Sequence, residues 1–129
     1  MLTLEAIQSA HAQFTGPDFP KLIQSFKEMG MKTNTVEIDS GCVFYTSDSH
    51  VLQTEGVRAQ IAVATEADKV QVQSNLARHQ AGQSDFQTFC DDMARAGIYK
   101  WIIDLETMTC SYYDKNEEIV ISEVIPSGV

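Results

Sequence analysis

Apolar residues recur every three or four positions in the first thirty residues, which is the spacing of one helix face. The pattern predicts two helices, over residues 3–14 and 18–29, with Thr3 and Asp18 as their N-caps. A Gly-Pro pair at residues 16–17 separates them, because neither residue continues a helix well.

The pattern then changes to alternation of apolar and polar residues, which is typical of half-buried strands. Residues 34–38 and 42–46 flank an Asp-Ser-Gly sequence at 39–41, in which glycine supplies a positive φ, so they predict a hairpin. We expect the polar stretch 47–56 to be a loop. Alternating apolar residues over 57–63 predict a third strand.

Two more helices and three more strands are predicted in the second half of the chain. A weakly amphipathic segment predicts a helix from Thr65 to about residue 80. The strongest apolar stripe predicts a helix that begins at Ser84, where Ser84 and Gln87 match a capping box, and ends at Gly97. The predicted strands cover residues 99–105, 109–114 and 118–125.

The order of these elements predicts an α+β two-layer sandwich. Short connections favour a mainly antiparallel sheet of about five to six strands, with the helices packed on one face. The chain has 129 residues, and the sequence shows no linker or internal repeat. We therefore expect a single domain over residues 1–129.

The charge of the chain disfavours two classes of partner. Nine Lys and Arg residues stand against 18 Asp and Glu residues, giving a net charge of −9, and the cations are scattered singly. General nucleic-acid binding needs clustered cations, so we do not expect it. The sequence has no export signal and no apolar run of the about 18 residues that a membrane span requires. A soluble, cytoplasmic protein without membrane attachment is the interpretation that fits.

The residues that could bind a metal or form disulfides are few and far apart. The chain has three cysteines, an odd number without a Cys-x-x-Cys pair, which predicts free thiols. None of the histidines and cysteines has the spacing of a ligand pair, so no metal is predicted, and no phosphate-loop or dinucleotide motif indicates a cofactor. These residues are His11, His50, His79, Cys42, Cys90 and Cys110.

Cys90 has two interpretations. A Cys–His pair with His79 could form a thiolate nucleophile. Alternatively, Cys90 lies on the apolar stripe between Phe86 and Met93 and is a small buried side chain. The second interpretation is favoured, because His79 precedes the cysteine by eleven residues and lies beyond the break at Gly82.

The second half of the chain resembles a known family. The stretch His-Gln-Ala-Gly-Gln-Ser-Asp-Phe at residues 79–86, with Ala-Arg-Ala-Gly-Ile at 94–98 and Cys-Ser-Tyr-Tyr-Asp at 110–114, is similar to the YdfO-like family. These are small proteins of bacteria and prophages, often labelled phage envelope proteins. The resemblance implies a two-layer sandwich and carries no established activity, substrate or cofactor. It also implies a common site of six residues: His79, Gln83, Asp85, Cys90, Cys110 and Tyr112.

Three hypotheses for the function follow. The first is a small non-enzymatic binding module of prophage origin, whose partner is a protein or a small ligand. The alternative is a small enzyme or ligand sensor with a pocket near His79, Cys90 and Cys110. The third is an acidic protein that mimics a nucleic acid. The sequence argues against it, because the acidic residues are interspersed among apolar strand residues. An exposed edge strand could support a homodimer.

The cysteine count gives a first testable prediction. We expect thiol titration of the unfolded, unreduced protein to detect all three cysteines, and elemental analysis to find no stoichiometric zinc. A lower thiol count or a bound ion would contradict both the predicted cytoplasmic location, which is a reducing compartment, and the predicted absence of a metal site.

Overall fold

The computed structural model describes residues 2–14 and 19–125. Within these residues the chain forms four helices and six strands. They are α1 (Leu4–Gln13), α2 (Phe19–Glu28), β1 (Thr33–Glu37), β2 (Cys42–Thr46), β3 (Val51–Glu55), α3 (Lys69–Gln80), α4 (Phe86–Arg95), β4 (Lys100–Asp104), β5 (Thr109–Tyr113) and β6 (Ile119–Val124).

The sheet confirms the predicted fold class. Its order is β3-β2-β1-β4-β5-β6, and every neighbouring pair is antiparallel. The helices pack on one face, where Phe26 of α2 lies 6.2 Å from Tyr45 and Phe89 of α4 lies 5.4 Å from Trp101 between ring centroids. Among the described helices, none is long and apolar enough to cross a membrane.

Capping side chains set where the helices begin. The hydroxyl of Thr3 accepts a hydrogen bond from the backbone N–H of Ala6, which confirms its predicted role. The caps predicted at Thr65 and Ser84 are wrong, because α3 and α4 begin later, behind Asp68 and Asp85. A carboxylate is a stronger acceptor for free helix N–H groups than a hydroxyl. The predicted cap at Asp18 and the Gly-Pro break at 16–17 lie outside the described residues.

The predicted third strand is wrong in its position. β3 occupies Val51–Glu55, inside the predicted loop, because the backbone N–H of Ser47 donates to the carbonyl of His50 and turns the chain straight back along β2. The following connecting segment, residues 56–68, leaves the sheet. Its residues alternate because one side packs against the core, where Val63 is buried. Alternating burial therefore occurred without a strand.

The two halves of the chain repeat one structural unit, α-α-β-β-β. The helix α2, the strand β1 and the strand β2 begin at residues 19, 33 and 42, and α4, β4 and β5 begin at residues 86, 100 and 109, a constant offset of 67. The hairpins have the same register at this offset, since Val36 pairs with Val43 and Ile103 pairs with Cys110. β3 and β6 correspond at an offset of 69, because the second turn is one residue longer and the pairing of β5 with β6 has a bulge between Tyr112 and Tyr113.

The repeat places a pseudo-two-fold axis through the centre of the sheet. Thr35 of β1 pairs there with Ile102 of β4, its own equivalent. The backbone bonds on either side exchange under this rotation, since Ile38 donates to Tyr99 and Leu105 donates to Lys32, both at 2.9 Å. The repeat is not visible in the sequence, because few equivalent positions hold the same residue.

Gly30 and Gly97 occupy equivalent positions in the two halves. Alanine substitutions at these two glycines test how closely the connecting segment packs against Gly97. Both have left-handed backbone, φ 86° and 87°, which costs an alanine about 1–2 kcal/mol. A Cβ at Gly30 meets nothing within 4 Å, whereas a Cβ at Gly97 overlaps the carbonyl oxygen of Glu66 and lies 2.6 Å from the Cα of Ala67. We expect Gly97→Ala to lose clearly more free energy of unfolding than Gly30→Ala in urea denaturation. Equal losses would contradict the close approach.

Candidate functional site

His79 lies in the last turn of α3 and contacts the start of α4. Its ring stacks on Phe89 with 4.2 Å between centroids, and its Nδ1 lies 3.2 Å from the hydroxyl of Ser84. The imidazole is half-buried. Ser84, which was predicted to cap α4, instead fixes the orientation of this ring.

Of the six residues implied by the family resemblance, Asp85 has a local structural role and Gln83 has none. Asp85 caps α4, and its carboxylate accepts a hydrogen bond of 2.7 Å from the backbone N–H of Thr88. That bond lowers the pKa of Asp85, and the nearby His79 lowers it further. Gln83 is exposed in the turn between the helices, where its backbone N–H donates to the carbonyl of Arg78. Among the residues that the structure describes, no hydrogen bond joins the side chain of Gln83 to the other five.

Cys90 is fully buried on the inner side of α4. Burial, with a smaller contribution from the neighbouring Asp91, raises its pKa to about 12. The imidazole of His79 stacks on the adjacent Phe89 and no hydrogen bond joins it to the sulfur. The geometry therefore favours the buried-side-chain interpretation over a Cys–His nucleophile.

Cys110 and Tyr112 lie side by side on the helix-facing side of β5. Both are buried, and each side chain is close enough to influence the pKa of the other. Burial raises the pKa of Cys110 to about 12, and burial likewise raises the pKa of Tyr112. Glu123, the register partner of Cys110 on β6, raises both pKa values further by its charge.

A chain of contacts links α3, α4 and the last three strands. The ring of Phe86 meets Trp101 edge-on at 6.2 Å, and Trp101 lies 5.7 Å from Tyr112. On the other side, the amide nitrogen of Gln80 lies 3.3 Å from both carboxylate oxygens of Glu123. Phe86 also lies 6.4 Å from His79 between ring centroids. We call this group the α3–β6 corner: His79, Gln80, Phe86, Trp101, Tyr112 and Glu123.

The corner combines a buried floor with an accessible rim. Trp101 is 5% exposed, whereas Phe86 is 41% exposed and Gln80 is exposed. Glu123 is half-buried, and no Lys or Arg among the described residues forms an ion pair with it. The corner thus presents aromatic surface beside one carboxylate.

Four residues of the corner were not predicted as site residues from the sequence: Gln80, Phe86, Trp101 and Glu123. A signal for Glu123 was present, because it occupies the apolar phase of β6 between Ile121 and Ile125. An acid at such a position is unusual, since charged side chains are seldom placed on a core-facing side. Phe86 was assigned to the helix stripe, and its exposure could not be read from spacing.

The described residues contain no group of three His, Cys, Asp or Glu side chains that could hold a metal ion. A cavity of about 330 Å³ lies elsewhere, against Lys27, Met31 and Glu106 near the end of α2. None of the six residues implied by the resemblance lines it.

The fold is that of a small α+β protein built from two α-α-β-β-β units, and the α3–β6 corner lies in the second of them. The chain belongs to the family described as "Protein of unknown function (DUF1398)", whose model matches residues 8–124, from α1 to the last residue of β6.

Two relatives show how far the likeness extends. Uncharacterized protein Rv2012 of Mycobacterium tuberculosis (strain ATCC 25618 / H37Rv) is 29% identical over 115 residues, covering 85% of this chain and 70% of the relative. Uncharacterized protein YcgX of Escherichia coli (strain K12) is 31% identical over 83 residues, covering 64% of this chain and 62% of the relative. The family description supports an uncharacterised family and does not carry the YdfO-like naming or the phage envelope label.

The thiols give a testable prediction. On native protein near pH 7.5 we expect iodoacetamide to label half-buried Cys42 first and to leave Cys90 and Cys110 nearly unmodified, with their reaction accelerating only as the pH rises toward 12. Peptide mass spectrometry follows each site, and labelling in urea provides the control. Rapid labelling of Cys90 near neutral pH that is lost in His79→Ala would contradict the structural role.

Proposed function

We propose that this protein is a non-enzymatic, single-domain binding module whose α3–β6 corner contacts a partner protein or a small ligand. Of the six residues implied by the resemblance, half-buried His79 and buried Tyr112 belong to the corner. Cys110 lies beneath it, Asp85 positions the start of α4, and Cys90 and Gln83 lie apart from it.

The exposure of Phe86 is the observation that supports this proposal most directly. The ring is 41% exposed, yet it is held edge-on against buried Trp101 and beside His79. A supported aromatic ring loses little conformational freedom when it binds, which is why aromatic residues dominate binding energy at many interfaces. Single exposed apolar residues are common on proteins, so the support lies in the aromatic cluster behind this ring.

The alternative is a small enzyme or ligand sensor at the same corner. A thiol enzyme needs a thiolate near neutral pH, and burial opposes it at both Cys90 and Cys110. A ligand sensor needs only binding, so it is a form of the present proposal. The cytoplasmic location, the prophage origin and the kinship with YdfO-like proteins belong to this proposal as well, together with a homodimer formed through an edge strand.

A thermal-shift screen with paired variants tests the proposal. We expect members of a metabolite library to raise the Tm of the wild-type protein and to lose this effect in Phe86→Ser. Val70→Ser, which removes a 75% exposed apolar side chain elsewhere on the surface, is the matched control and should retain the shifts. Proteins captured from a cell extract are compared between the same variants.

Hits that are unaffected by Phe86→Ser would place binding away from the corner and contradict the proposal. A hit that is chemically converted during incubation, as followed by mass spectrometry, would replace the binding module with the enzyme alternative.

A further inference from the structure

The two halves have the same groove at the end of their second helix, but only one of the grooves is covered by another part of the described chain. The offset of 67, which relates α2 and β1 to α4 and β4, identifies the pair. The groove at the end of α4 holds the connecting segment. Its equivalent in the first half is the cavity of about 330 Å³, which we call the α2 groove. The residues that line it are Lys27, Gly30, Met31, Lys32, Leu105 and Glu106.

The backbone that forms the two grooves is the same. Each helix is followed by a glycine with a left-handed φ, 86° at Gly30 and 87° at Gly97. The backbone N–H of each glycine donates to the carbonyl three residues earlier, at 3.0 Å to Lys27 and at 3.1 Å to Ala94. The grooves therefore differ in what lies against them and in their side chains, while the backbone below has one shape.

The connecting segment contacts the groove at α4 through its backbone. The N–H of Ala64 donates to the carbonyl of Ala94 at 2.9 Å. The chain then passes so close to Gly97 that a Cβ at this glycine would overlap the carbonyl oxygen of Glu66. Ala94 and Gly97 are both buried as a result. This groove thus binds a peptide segment that has neither helix nor strand structure.

In the α2 groove the equivalent groups are uncovered. Lys27 and Gly30 are exposed, although the residues at the same places in the second half are buried. The carbonyl of Ile38 accepts a hydrogen bond of 2.8 Å from Ala59, whereas no described residue donates to the equivalent carbonyl of Leu105. Backbone carbonyls are strong acceptors, so these positions suit the N–H groups of another peptide.

The side chains around the α2 groove indicate which peptide it accepts. Met31 and Leu105, which are 3% and 1% exposed, provide apolar surface. Lys27 forms no ion pair with any described residue, whereas Lys32 is paired with Glu106 at 2.8 Å. The ammonium of Lys27 favours a carboxylate on the ligand. Because the net charge of −9 repels strongly acidic peptides, one carboxylate among small and apolar side chains fits best.

We infer that the α2 groove binds a peptide segment of a partner protein, in the way that the groove at α4 binds the connecting segment. The peptide has small and apolar side chains and one carboxylate. It donates backbone hydrogen bonds to the carbonyls of Lys27 and Leu105, passes over Gly30, and places its carboxylate near the ammonium of Lys27. None of the residues of the α3–β6 corner lines this groove, so the inference does not depend on the function proposed for the corner.

Nuclear magnetic resonance titration of the full chain with a peptide copied from the connecting segment tests the inference. The probe has blocked ends and the sequence of residues 57–67, Val-Arg-Ala-Gln-Ile-Ala-Val-Ala-Thr-Glu-Ala, which contains one carboxylate. We expect it to shift the backbone N–H signals of Gly30 and Leu105. The signal of Gly97, which the protein's own segment covers, should not move.

Alanine at Gly30 tests whether a peptide backbone passes over this residue. The added Cβ meets nothing within 4 Å in the free protein, but it would stand in the path of the bound peptide. We expect Gly30→Ala to weaken probe binding by at least about tenfold, the usual size of a steric overlap. Gly82→Ala is the matched control, because Gly82 has a φ of 74° and the same open surroundings in the turn between α3 and α4. It should leave the affinity unchanged, and urea denaturation verifies that both variants are folded.

A charge substitution tests the carboxylate. Lys27→Gln should weaken probe binding roughly threefold, which is the effect of one exposed ion pair. Lys115→Gln removes the same charge from an exposed position in the turn between β5 and β6 and should leave the affinity unchanged. A probe with glutamine in place of its glutamate should bind equally to the wild-type protein and to Lys27→Gln. A loss that persists with this second probe would overturn the assigned carboxylate.

Several outcomes would overturn the inference. One is an unmoved Gly30 signal with about 1 mM probe, and another is equal affinity in Gly30→Ala. A shift at Gly97 would mean that the probe displaces the connecting segment from the other groove. Gly30 signals that change when the protein alone is diluted would assign the groove to a second copy. Nuclear Overhauser contacts between Gly30 and residues 126–129 would assign it to the chain itself.

The inference and the proposed function fail separately. Phe86→Ser, which removes the exposed ring of the corner, should bind the probe with the affinity of the wild-type protein. Gly30→Ala should in turn retain the thermal shifts of the metabolite screen. A probe affinity that falls in Phe86→Ser would place the peptide at the corner and would overturn the assignment to the α2 groove.

Discussion

The pairing of β1 with β4 is the contact on which the rest of the structure depends. Each half of the chain supplies only three strands and two helices, and a sheet of that size gains little stability alone. The ladder from Thr33 to Glu37 against Lys100 to Asp104 joins the halves into one sheet. As a result, the apolar faces of both halves merge into a single core, which the four described helices cover from one side.

Local patterns in the sequence were sufficient for most of the fold, because helices and hairpins are determined by neighbouring residues. The stripe around Phe89 and the turn at Gly41 are examples, and both predictions agree with the structure. The position of β3 could not be predicted, since it depends on a tight turn at Ser47. The repeat was also missed, because equivalent positions such as Asn34 and Trp101 share a place in the fold without sharing chemistry.

The candidate site was predictable only in part, because its members are brought together by pairing between distant strands. His79 and Tyr112 were named from the sequence, but nothing local indicated that Trp101 would join them. Glu123 reaches the corner through its register with Cys110, which depends on both the longer turn before β6 and the bulge between Tyr112 and Tyr113. The thiols attracted attention for their chemistry, yet burial leaves them suited to packing.

The connecting segment has a consequence for how two copies of this chain can combine. Halves with the same architecture can pair between molecules, β1 of one copy against β4 of another, which is domain swapping. Such an exchange requires the connecting segment to detach from one of the two halves. Ala59 donates a backbone hydrogen bond of 2.8 Å to the carbonyl of Ile38 in the first half, and the backbone N–H of Gln60, the next residue, donates one of 2.8 Å to the carboxylate of Asp91 in α4. These adjacent contacts hold each half against its own partner half and oppose exchange between molecules.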